Sequence, residues 1–159
     1  MKMSTKEYVP VITIGIDGAN WKVLEILLKN GLCPNISELV NEGTCASTMV
    51  DDIFLSPVIW TSVITGKKGL KHGIRGLLQD SLELKCKTIC DILNNYDISS
   101  GLCHWPVSSP PKRMENHFNI PLYKNTIETY PPEYSFINKM LVGNLNRSNS
   151  LLQKIHEKI

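Results

Sequence analysis

Residues 9–16 (VPVITIGI) form a short, nearly continuous apolar run rich in β-branched side chains. That pattern predicts a strand covered on both faces, not one half exposed. Residues 21–30 (WKVLEILLKN) change period. Trp21, Leu24, Leu27 and Leu28 fall at helical spacing, and Gly31 follows as a left-handed cap. Pro34-Asn35 then opens a second short helix, with Ile36, Leu39 and Val40 on one face and Gly43 at its end. Residues 44–50 (TCASTMV) have strand composition, 72–78 (HGIRGLL) read as a turn into an edge strand, and 87–95 as an amphipathic helix through Ile89, Ile92 and Leu93. A strand over 100–107 (SGLCHWPV) follows. The alternation predicts an α/β fold: a layered, mostly parallel sheet with flanking helices.

Beyond Pro110 the pattern thins into a stretch rich in turn formers. Residues 110–159 read as a loop-rich to helical extension, with a helix over 133–142 and an amphipathic segment over 150–159 (SLLQKIHEKI) carried by Leu151, Leu152, Ile155 and Ile159. That last apolar face has no evident partner in the sequence.

Length and composition limit the class of protein. The 159 residues suit one domain, 42% of them are hydrophobic and 20% charged, and the net charge is +2. Charge this small and dispersed indicates neither nucleic acid nor a membrane surface as partner. No apolar run reaches membrane-spanning length and the first ten residues carry no signal-peptide core, so the expected location is cytoplasmic. Cys33, Cys45, Cys86, Cys90 and Cys103 are scattered without a Cys-x-x-Cys pair, which fits structural thiols.

Candidate chemistry concentrates in 54–67, FLSPVIWTSVITGK. Ser56 reads as an N-cap with Pro57 as the first helical residue. A serine there can simply cap the helix. It can equally act as a nucleophile toward phosphorus, because a helix N-terminus favours negative charge on an alkoxide and on phosphate oxygens. Asp17 ends the first apolar strand, and ligands of open α/β sheets collect at strand carboxyl ends. Its alternative reading is an N-cap for the helix at Trp21. Thr65-Gly66-Lys67-Lys68 lacks the other elements of a P-loop, and Gly15-Ile16-Asp17-Gly18 lacks the third glycine of a dinucleotide fingerprint. Lys67, Lys68 and Lys71 read as a solvated charge run and His72 as a turn-stabilising residue. His104, His117 and His156 have no ligand partner at helical spacing, which leaves them structural or surface roles, and Asp51 and Asp52 read as solvated loop residues.

With VITIGIDGANW, GLCPNISELVNEG and SPVIWTSVITGKKGLKHGI in this order, and more weakly WPVSSPP and TYPPE, the chain resembles the alkaline phosphatase superfamily, in its type I phosphodiesterase/nucleotide pyrophosphatase branch. The resemblance runs over about 11–133. It implies a metal-dependent phosphoryl hydrolase with a phospho-serine intermediate, in which Ser56 matches the nucleophile and Asp17 the first carboxylate ligand of a paired metal site. One cation would bridge Asp17 and Ser56. The implied cofactors are two divalent ions, commonly zinc and in some branches manganese, and the implied substrate is a small phosphate ester.

The family's remaining ligands, an Asp-x-x-x-His pair, an Asp-His dipeptide and a distal histidine, have no counterpart in this sequence. The expectation is therefore a single N-terminal part, 1–159, of an alkaline phosphatase-like domain whose missing partner is the C-terminal half, and an isolated chain that is inactive. Two other readings stay open. One is a phosphotransferase or mutase of the same superfamily, and the other a catalytically inactive α/β binding or scaffold module.

Overall fold

A computed structural model describes residues 9–122 and 128–140. The segment 150–159 and the last two residues of the helix expected over 133–142 lie outside these. The chain forms two compact units, 1–48 and 49–159.

In the first unit, α1 spans Trp21–Lys29 and α2 Pro34–Glu42, and the two pack together. The side chain of Asn20 caps α1 by accepting from Lys22 N at 2.8 Å. Its other end closes as a Schellman motif: Leu32 N–H reaches Leu27 O at 2.9 Å and Gly31 N–H reaches Leu28 O at 3.0 Å. Gly31 sits at φ +68°, where a Cβ would be strained, which is why glycine serves there. Pro34 occupies the first helical position of α2, as its spacing predicts. Leu24, Leu27, Leu28, Ile36 and Val40 are half-buried, while Leu39 is exposed.

The strand expected over 9–16 does not form and pairs with no strand among the described residues, and its apolar side chains are exposed, Val11 at 87%. A doubly covered strand needs a ladder on each edge and a layer on each face. Composition supplies neither. Residues 44–50 likewise form no strand, nor do 72–78.

The second unit opens with α3, Ser56–Thr65, ended by Gly66 in the left-handed conformation. A short helix α4, Gly69–His72, packs on it. After a 3-10 turn at Ser81–Glu83 comes α5, Ile89–Asn94, whose capping box joins Thr88 and Asp91. β1 (Ser100–Cys103) and β2 (His117–Ile120) pair in parallel, with Ser100 opposite His117 and Cys103 opposite Ile120. The crossover 104–116 carries the turn formers noted in the sequence. A 3-10 turn at Pro132–Tyr134 and helical residues 135–140 follow, and Tyr130 bridges Asn119 in antiparallel fashion. The class is α/β with a parallel sheet, as the alternation predicts.

The core of this unit includes Val58 and Ile64 of α3, Ile74, Cys90 of α5 and Ile120 of β2. The apolar side chains of α3 divide between inside and outside. Val58 is fully buried, whereas Val63 is 58% exposed.

Candidate active site

Ser56 is the first residue of α3 and its side chain is exposed. The structure moves the cap by one position. Leu55, with φ −127° and ψ 134°, is the N-cap and Pro57 the second helical residue. Leucine has no side-chain acceptor, so the N-cap residue itself makes no side-chain cap bond. The alternative reading of Asp17 meets a similar correction, because Asn20 caps α1. Asp17 sits in an exposed turn with Gly18 at φ +71°. It belongs to the first unit and Ser56 to the second.

The ten-residue α3 is long enough to present a positive end at Ser56. Several contacts hold it in place. Ile59 N–H closes the first turn on Leu55 O at 3.0 Å. Further along, Ser62 Oγ donates to Val58 O at 2.9 Å and lies 3.1 Å from Nε2 of the fully buried His72. His72 Nδ1 accepts from Ile74 N–H at 3.1 Å, which leaves the ring proton on Nε2, directed at Ser62. Burial pushes this imidazole below the usual histidine range, and the Asp52 carboxylate offsets that only in part. His72 thus stabilises the turn after α3, as its place in GLKHGI predicts.

Asp52 has a structural part that the sequence did not signal. Its carboxylate accepts from Gly69 N at 2.5 Å and from Ile53 N at 2.8 Å, tying the approach to α3 to the start of α4. Those backbone bonds hold its carboxyl below the usual aspartate range. Asp51 pairs with Lys68 on the exposed surface, so one member of the lysine run is ion-paired. His104 Nε2 lies 3.2 Å from Asn138 Oδ1, and His117 Nδ1 lies 2.9 Å from Ser100 Oγ.

The described residues do not fit a two-metal centre. Among them no three His, Cys, Asp or Glu side chains gather into a ligand set, and Asp17 and Ser56, the ligands that the resemblance implies, would fall short of the roughly four that zinc takes. No helix among the described residues is long and apolar enough to cross a membrane.

An exposed serine heading a helix of an α/β chain is the geometry of a candidate phosphoryl-transfer nucleophile. Residues 11–83 match the family model described as type I phosphodiesterase / nucleotide pyrophosphatase, so the resemblance drawn from the motifs holds over that stretch, less than half of the chain. Neither a curated protein nor a solved structure gives a significant match. Both Asp17 and Ser56 fall inside the matched residues, whereas WPVSSPP and TYPPE fall outside them.

Proposed function

We propose that this chain carries the nucleophile-bearing part of a metal-dependent phosphoryl hydrolase of the phosphodiesterase/nucleotide pyrophosphatase type. Its substrate class is a small phosphate ester. The observation that carries the reading is Ser56 itself: exposed, first in α3, and inside the family match. In this reading Ser56 Oγ forms a bond to phosphorus as the bond from phosphorus to the leaving oxygen breaks. The leaving alcohol departs with a proton, and water then cleaves the phosphoserine. The positive end of α3 favours the phosphate oxygens throughout.

Asp17 is the metal-side residue in this reading. Zinc or manganese would require further ligands, and the proposed source is a protein segment equivalent to the C-terminal half of the family's domain. The ligand count is the reason for including that partner.

The test is a graft. Residues 11–83 replace the corresponding segment of a complete type I phosphodiesterase, and hydrolysis of a phosphodiester is measured with zinc or manganese present. Turnover is expected from the graft, falling by about 10⁴ or more with Ser56→Ala. Full activity in the Ser56→Ala graft would refute the assignment.

The same ligand count favours a second reading, an inactive α/β binding module. Zinc titration of the graft separates the two: turnover that rises with zinc excludes the inactive module, and a folded graft that stays inert with zinc present supports it.

A further inference from the structure

A cavity of about 330 Å³ lies in the second unit, bounded by α3, α5, the strands and the crossover 104–116. It is not the Ser56 site. Thr61 and Ile64 line it from α3, and Thr61, the nearer of the two in sequence, is about 140° around the helix and about 7.5 Å along it from Ser56. Leu82, Leu102, Trp105 and Met114 are among the side chains that make most of its wall apolar.

Three buried polar atoms belong to side chains lining this cavity and have no hydrogen-bond partner among the described residues: Thr61 Oγ1, His117 Nε2 and Asn119 Oδ1. All three side chains are more than nine-tenths buried. Buried polar groups are normally satisfied, so three on one cavity require an explanation. Thr61 is unusual even within its helix. Ser62 and Thr65 bond back to the carbonyls of Val58 and Thr61, whereas the Thr61 hydroxyl does not bond back in this way. Asn119 is fixed in orientation because its Nδ2 donates to Ser108 O at 3.0 Å, which makes the remaining Oδ1 an acceptor only. His117 is held through Nδ1 by Ser100, so Nε2 is the atom left over.

The electrostatics select the occupant further. Asp91 and Lys112 both reach the cavity and pair with each other, so no unpaired charge of theirs awaits an ionic ligand. Burial lowers the proton affinity of His117, which favours the neutral ring. Water can meet the three polar atoms but leaves the walls of Leu82, Leu102, Trp105 and Met114 unmatched, so the occupant that fits joins a polar edge to an apolar body. We infer that this cavity is a binding site for a small, neutral, flat heteroaromatic molecule that offers an N–H donor to Asn119 Oδ1 and a neighbouring ring nitrogen to Thr61 or His117. Its volume lies at the lower end of the range for small-molecule sites, and the indole and proline walls suit a planar ring.

Indazole is the probe, a neutral bicycle with N–H and ring nitrogen adjacent, and indene is its hydrocarbon counterpart. Calorimetry on the full chain should give saturable, one-to-one indazole binding, at least about tenfold tighter than indene, because a site built to hydrogen-bond rejects the analogue that lacks the groups. Indazole should also shift the His117 imidazole nitrogen resonances. Asn119→Leu should remove the preference for indazole, and Ser56→Ala should leave binding unchanged, which keeps this test separate from the phosphoryl reading. Equal affinity for indazole and indene, or no binding with unmoved His117 resonances, would overturn the proposal. If Asn119→Leu does not fold, the indazole-to-indene ratio and the His117 resonances of the unmodified chain decide.

Discussion

Trp105 donates its indole N–H to the carbonyl oxygen of Trp60 at 3.2 Å, and the two rings meet edge to face with centroids 5.3 Å apart. This pair fastens the middle of α3 to the crossover that follows β1. The helix that presents Ser56 is therefore braced from behind by a residue far along the chain. Trp105→Phe keeps a ring but loses the donor, and should cost about 1 kcal/mol in urea unfolding. Trp105→Ala also loses the edge-to-face packing and should cost about 3 kcal/mol. Equal losses for the two variants would mean that the N–H bond, not the ring, carries the brace.

The sheet has a steric requirement at Gly101. A Cβ there would approach the Phe118 ring to 2.0 Å, since the two residues stand opposite each other in the parallel register. Gly101→Ala should destabilise the second unit by about 1–3 kcal/mol. Adding Phe118→Ala removes the obstacle, so the double variant should be more stable than the sum of the single losses predicts. Simple additivity in a double-mutant cycle would contradict the contact.

Two buried histidines predict how stability depends on pH. Burial holds both His72 and His117 below the ordinary value of 6.5. As pH falls through 6.5 the unfolded chain takes up protons that the folded chain still refuses, so stability is full above that value and declines toward the lower folded values. Asp52 and Asp91 act in a different window. At Asp91 burial alone would raise the carboxyl, but the Lys112 ammonium and the Thr88 N–H and hydroxyl outweigh it and hold it low. The contributions of both carboxylates are lost only as pH falls below about 3.8. Urea midpoints measured between about pH 8 and pH 5 should therefore drop, and His72→Gln should flatten part of that slope. A midpoint that rises toward acid pH would be inconsistent with neutral buried rings.

Local signals in the sequence were the most readable part of the fold. Gly31 and Pro34 mark helix boundaries through backbone chemistry that acts within one turn, and the structure places both at helix termini. The helix at 89–94 follows from its apolar spacing in the same way. β2 was not legible, because His117–Ile120 is four residues long and lies among turn formers. Its strand identity comes from pairing with β1, a long-range event. The run at 9–16 shows the converse, since strong strand composition finds no pairing edge among the described residues. At the site, Ser56 and Asp17 were visible as residues, but the placing of Leu55 and Asn20 at the N-cap positions was not. Thr61, His117 and Asn119 could not have been grouped from sequence, because only the folded chain brings residues of α3 and β2 to one cavity.

The central claim is that Ser56 is a phosphoryl nucleophile, and trapping its covalent intermediate tests that most directly. In the graft carrying residues 11–83, acid quenching during turnover of a phosphodiester followed by peptide mass spectrometry should find phosphate on Ser56. It should find none after Ser56→Ala. Steady turnover with an unmodified Ser56, or phosphate on another side chain, would contradict the account.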